Sequence, residues 1–213
     1  MINSTTDIYI VLNTTCSNGG LKMENLHELL KDITKLNDIT LNDIPNIDLY
    51  MDQVTTLFEN HLHPLKRDKD DKILTKTMIN NYSKAKIFPP VKSKKYNKEQ
   101  IILLSLIYNL KQSLSLGDIG TVFSPILDDI KEENAKVDVL YDLFLNIKKE
   151  ELLNFEKEFD EILSKIEEKI SHSFSNVKDN NILILLILTL IAKANMNIRM
   201  SEKIIDNFFK KSE

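Results

Sequence analysis

Glycine and proline are scarce in this chain, four and five in 213 residues. Both residues punctuate turns, so their scarcity excludes a fold built from many short strands and tight hairpins. Leu, Ile, Lys and Glu are abundant instead, and the composition predicts a mostly helical chain. A single cysteine, Cys16, excludes an internal disulfide. No Cys/His spacing resembles a zinc site, and a reducing cytoplasm is the expected compartment. Arginine is confined to Arg67 and Arg199. The N-terminus lacks a basic stretch followed by an apolar one, so no signal peptide is expected. The longest apolar run, Ile182 to Ala192, has 11 residues interrupted only by Thr189. A bilayer span needs about 20, so this run is expected to be a fully buried core helix. A Gly-rich phosphate loop, a nucleophile elbow and an HExxH pair are all missing. The carboxylates alternate with lysines as solvated helix faces, and no enzymatic chemistry, cofactor or metal is expected. His61 and His63 stand two apart and would point in different directions on a helix, which argues against a shared metal.

The charge that is present is unevenly placed. Between Lys66 and Lys98 lie eleven basic residues and three acids, a balance of +8 on a chain whose total is −4, leaving −12 elsewhere. A basic island on an acidic protein is the footprint of a nucleic-acid-binding face, against the plainer reading of a solvated lysine-rich loop.

Hydrophobic spacing divides the rest. Met1 to Gly20 is polar with one alternating patch at Ile8, Ile10 and Leu12, an edge strand or loose arm ending in a turn at Asn18-Gly19-Gly20. Helices are predicted over Met23 to Leu36 and Ile47 to Leu62, the latter stopped at Pro64. A charged linker runs from His63 to Ile73. Thr75 is a candidate N-cap for the next helix, whose Leu74, Met78, Ile79 and Tyr82 would face inward while Lys76, Thr77, Asn80, Asn81 and Lys84 face outward. Pro89-Pro90 forces an extended exit, and Val91 to Tyr96 is expected as a small hairpin or loop. Asn97 with Gln100 reads as a capping box, and Ser115 caps a further short helix that ends by Pro125. Val137 to Ile147 carries one apolar stripe. Leu152, Phe155, Phe159, Ile162 and Ile166 form a heptad-like seam, either a dimer coiled coil or one helix of an intramolecular bundle that also dimerises. An apolar helix at 182–195 and an amphipathic one at Ser201 to Lys210 complete the chain. The domain reading is an N-terminal extension at 1–42, a DNA-binding domain at 43–125 and a helical dimerisation or effector domain at 126–213.

The run Thr75-x-x-Met78-Ile79-Asn80-Asn81-Tyr82-Ser83-Lys84-x-x-Ile87-Phe88-Pro89-Pro90 resembles the recognition helix and exit of MerR-type winged-helix regulators. Lys94-Lys95-Tyr96 and the following Asn97-Lys98-Glu99-Gln100-Ile101 resemble their wing and next helix. Ser115-Leu116-Gly117-Asp118-Ile119 resembles the start of their fourth helix. The chain departs from that pattern where the family's Arg is Asn80, its first Tyr is Asn81 and its post-helix Gly is Lys86. Its link from Leu62 to Ile73 is longer, and it has no metal-sensing cysteines. Over about Asp43 to Pro125 the chain is also similar to the uncharacterised bacterial YkrK-like proteins, through the words LYMDQV and ILTKTMINNY and the Pro-Pro-to-Tyr96 region. The first resemblance implies an all-α chain with a small β-hairpin wing.

The function these residues suggest is a sequence-specific, dimeric DNA-binding transcriptional regulator. Its recognition helix at about 75–85 would lie in the major groove of double-stranded DNA. Asn80 and Asn81 could bond adenine edges, while Lys76, Lys84, Lys92, Lys94 and Lys95 would neutralise phosphates. Thr75, Thr77, Tyr82 and Tyr96 complete the candidate contact set, and the C-terminal helices would hold an effector. The alternative is a helical protein-interaction module on the same scaffold, a reading favoured by the shortage of arginine, the usual guanine reader.

Overall fold

In the computed structural model, residues 23–34, 38–132, 136–173 and 179–210 are described. The expectations for Met1 to Gly20 lie outside them. Contacts divide the chain into two compact units, 1–35 with 156–190 and 36–155 with 191–213.

The larger unit holds the main core. After a turn at Thr40, whose amide and hydroxyl both donate to Asp43 at 2.8 and 2.7 Å, the chain forms β1 (Leu49–Tyr50) and then α1 (Met51–Leu62). The expected helix from Ile47 therefore starts later. Residues 49 and 50 are in a sheet, and Gln53 Oε1 accepts from the Tyr50 amide at 2.8 Å to cap the true helix start. Val54, Phe58 and Leu62 recur every four residues and form its buried side. A 3₁₀ turn at His63–Leu65, with Pro64 in its first positions, leads into an exposed charged link.

α2 (Lys76–Lys84) opens at Thr75, whose hydroxyl accepts from the Met78 amide at 3.2 Å. It closes in a Schellman motif. The Ile87 amide donates to Tyr82 O and the Lys86 amide to Ser83 O, both at 3.1 Å. Lys86 sits at φ 58°, the left-handed position where glycine is usual. Its Cβ makes this conformation about 1–2 kcal/mol less favourable, and the buried Tyr82 and Ile87 side chains, one at each end of the motif, offset it.

The chain then runs extended through Pro89-Pro90 and turns at Ser93 and Lys94, φ 52° and 60°, into β2 (Lys95–Tyr96). β2 pairs antiparallel with β1, Leu49 opposite Tyr96 and Tyr50 opposite Lys95. The small sheet thus joins two distant segments, with residues 91–94 as the loop beside it.

α3 (Lys98–Leu110) is the central helix, and every residue from Gln100 to Ile107 is buried. Its capping box is complete: Gln100 N donates to Asn97 Oδ1 at 2.9 Å and Asn97 N to Gln100 Oε1 at 3.1 Å. Lys111 Nζ donates to Ile73 O at 3.0 Å, pinning the end of the charged link to α3. α4 (Leu116–Lys131) starts at Ser115, whose Oγ accepts from the Asp118 amide. It continues through Pro125 rather than ending there. A helix-interior proline removes one backbone bond and costs about 3 kcal/mol, but Ile126, Leu127 and Ile130 beyond it pack on the core and hold the helix. Gly120 permits close approach: a Cβ there would meet Ile87 Cγ2 at 2.9 Å.

α5 (Val137–Ser173) is one long helix. Its part up to Phe155 belongs to the larger unit. There Tyr141 donates from its hydroxyl to Ile39 O at 2.6 Å, and Lys148 bridges Asp38 and Asn109 at 2.6 and 3.0 Å. Residues 205–209 of the same unit form a π turn with Ile205 buried.

The smaller unit comprises α6 (Met23–Thr34), the second part of α5 and the first part of α7 (Asp179–Ile204). Thr34 donates to Glu156 at 3.0 Å, and Leu26 and Leu30 are buried. Phe159, Ile162 and Ile166 of the heptad-like seam are also buried, so this part of the seam is filled from within the chain. α7 runs unbroken where two helices were expected, since no Gly or Pro interrupts 195–201. Its apolar run is not the expected core helix. Among α7 residues only Leu186 is buried.

Candidate nucleic-acid interface

α2 separates its side chains cleanly. Ile79 and Tyr82 are buried and Met78 is half-buried, whereas Lys76, Thr77, Asn80, Asn81 and Lys84 are all exposed. Lys76, Asn80 and Lys84 recur every four residues and stack along one face, with Thr77 and Asn81 beside them. The N-cap Thr75 is spent on the helix itself through its bond from Met78.

The loop beside the sheet adds to this charge. Lys92 and Lys94 are exposed, and the left-handed turn at Ser93 and Lys94 sets the direction of the second. Lys95 is half-buried, its ammonium 5.2 Å from the centre of the Tyr50 ring. Among the described residues, no carboxylate lies within ion-pair distance of Lys76, Lys84, Lys86, Lys92, Lys94 or Lys95. Lys131, Lys148 and Lys210, by contrast, meet Asp128, Asp38 and Asp206 at 2.7, 2.6 and 2.7 Å. Cations left without internal anions keep their charge available for a polyanion.

Two candidate contacts turn inward. Tyr82 is buried in the core, and burial raises its hydroxyl pKa. Tyr96 is buried too, its hydroxyl 3.5 Å from Met51 Sδ and its ring 6.2 Å from that of Phe88. Burial likewise raises its pKa. Both are packing residues, since a sheet residue paired with Leu49 and a helix residue one turn from Ile79 have only the core to face. The contact set narrows to Lys76, Thr77, Asn80, Asn81, Lys84, Lys92, Lys94 and, at its edge, Lys95.

Lys86 and Tyr50 were not among the expected contacts. The left-handed cap leaves the Lys86 side chain exposed at the end of α2, and Tyr50 carries Lys95 through the strand pairing. The position of Lys86 was the signal for the first: it directly follows a helix whose motif calls for a left-handed residue. Nothing local signalled the second, because the pairing joins distant segments.

Two shallow depressions, about 300 and 330 Å³, are lined by Pro45, Leu49 and Thr56 and by Ile47, Asp48 and Lys98 respectively. Asp43, near the first, is shifted by opposing effects: burial pushes its carboxyl up, but bonds from Thr40 and the nearby His61 outweigh it and leave it below the usual range.

Residues 39–144 match the family described as Domain of unknown function (DUF1836). The matched segment also holds the main cluster of buried apolar residues, which runs from Ile39 to Tyr141. It contains β1, β2, α1 to α4 and the start of α5, with α2 and the basic loop inside it. No curated protein and no solved structure matches the chain.

Proposed function

We propose that the chain is a DNA-binding regulator that lays the exposed face of α2 in the major groove, with the 91–94 loop on the adjacent phosphates. The single observation that carries this reading is the α2 face: two lysines and two asparagines, exposed together and free of carboxylate partners among the described residues. Asparagine can bond adenine bidentately, each such pair contributing about 1–3 kcal/mol of discrimination. The lysines supply register and salt-dependent affinity. The resemblance to MerR-type regulators supports the same placement, as does the order β1, α1, α2, loop, β2. The chain would act as a dimer on a two-fold site.

The test is fluorescence anisotropy of the full chain on duplex DNA over a range of salt. Lys92→Glu with Lys94→Glu is expected to weaken binding to every sequence. The slope of log K against log salt should fall by about 1.8, two phosphate contacts at about 0.9 each. Unchanged affinity in that double variant would count decisively against the proposal. Absence of binding by the unaltered chain at low salt would favour instead a protein-interaction module, the reading consistent with only two arginines.

A further inference from the structure

The nine residues of α2 include no arginine and no carboxylate. In the major groove, arginine is the common fork for guanine, and Asp or Glu accepts from the cytosine amino group. Arg67 and Arg199 lie elsewhere in the chain. A helix presenting neither kind of side chain has little with which to recognise a G·C pair.

What α2 does expose matches the other pair. An Asn amide both donates to and accepts from the adenine edge, and a Thr methyl packs on the thymine methyl. Thr77, Asn80 and Asn81 are all exposed. Thr77 and Asn81 stand four apart, neighbours on the helix surface, within the first two turns of α2. That N-terminal part of a recognition helix is the part that meets base edges.

The two amides are also uncommitted. Asn109, Asn146 and Asn207, in other helical segments, return theirs to the residue four earlier, at 2.9, 3.2 and 2.7 Å. Asn80 and Asn81 make no side-chain hydrogen bond among the described residues. Asparagine is a weaker helix former than alanine, so two in succession without such a bond are a net cost to α2. Lysine can also reach guanine, but Lys76 and Lys84 occupy the two ends of the helix. Eight residues set them about 12 Å apart along the axis, close to the ~12 Å width of the major groove. In the docked helix their ammonium groups meet the phosphate walls, with Asn80 midway between.

We infer that the duplex recognised by α2 is rich in A·T pairs. Asn80 and Asn81 bond adenine N6 and N7, and the Thr77 methyl lies against a nearby thymine methyl. The inference rests on the proposed placement of α2 in the major groove and adds to it the class of base pair that is read.

The experiment is fluorescence anisotropy of the full chain, at one low salt concentration, on alternating dA-dT and alternating dG-dC duplexes of equal length. Equal lengths carry equal phosphate charge, so the lysine contribution cancels in the ratio of affinities. The dA-dT duplex is expected to bind about 10-fold or more tighter. Asn80→Ala with Asn81→Ala, which installs better helix formers, should bring the ratio close to one. A duplex with 7-deazaadenine in place of adenine keeps the base pairing but lacks the N7 acceptor, and the unaltered chain should lose its preference for it. Deoxyuridine in place of thymine removes the methyl group. It should weaken binding of the unaltered chain a few-fold and leave Thr77→Ser unaffected; an equal loss in both overturns the role given to Thr77. Equal affinity for dA-dT and dG-dC overturns the inference and leaves duplex binding standing. A preference that survives the asparagine replacements or the loss of N7 overturns it too, because groove shape is then what is read. Absence of binding to either duplex is the failure of duplex binding itself and overturns both.

Discussion

α3 buries every side chain from Gln100 to Ile107, whereas α7, with an apolar run of the same kind, buries only Leu186. Composition does not distinguish them, since each is hydrophobic around most of its circumference. What differs is the company. α3 and the β1–β2 pair share one buried cluster with residues of α1, α2, α4 and the start of α5. Such a helix is stable only when every side is covered. α3 meets that condition among residues 39–144, whereas α7 has only Leu186 buried. The pair teaches that an apolar run fixes the need for neighbours but not their source.

The comparison breaks most directly by truncating one side chain in each helix. Leu104→Ala in α3 removes a fully buried group and is expected to destabilise the fold by about 2–5 kcal/mol. Ile187→Ala in α7 is expected to change unfolding by less than about 0.5 kcal/mol. Urea unfolding of both variants checks this, and equal losses would erase the distinction.

A smaller effect sharpens the picture of the crowded side. Gly120→Ala adds a methyl where Ile87 Cγ2 already stands 2.9 Å from the ideal Cβ position. Overpacking of this kind costs about 1–3 kcal/mol, so thermal unfolding should shift down, and Ile87→Val in the same chain should recover part of the loss.

The smallest effect concerns protons. Burial pushes the Tyr141 hydroxyl up to about 12, while its unfolded value stays near 10. The folded state therefore holds this proton more tightly. The stability it contributes is complete below about pH 10 and is lost as pH rises toward about 12. Tyr141→Phe forfeits the bond to Ile39 O, about 1 kcal/mol at neutral pH, but should flatten the alkaline limb measured by denaturation between pH 10 and 12.

Much of the DUF1836 segment was legible because its signals are local. Thr75, Asn97 and Ser115 cap the helices they were expected to cap, and Pro89-Pro90 ends α2's exit. The outward set on α2 followed from helical periodicity alone. The inward turn of Tyr82 was legible as well; Tyr96 was not, because its burial follows from pairing with Leu49, a contact no short window contains. Pro125 misled for a related reason: the proline rule is local, and the packing of Ile126, Leu127 and Ile130 that overrides it is not. The exposed residues of α7 are the extreme case, because a short apolar window does not say how many of its side chains find neighbours.

The pinned link between α1 and α2 has a practical consequence. Residues 67–72 are exposed, yet Leu62 before them and Ile73 after them are buried, and Lys111 holds the Ile73 carbonyl. Tyr96 and Met51, 45 residues apart and on either side of this stretch in sequence, also meet, hydroxyl to sulfur. A protease cut in this stretch would sever the chain without separating its parts. The chain could thus be expressed as two fragments that reassemble, with the α2 face intact on the second.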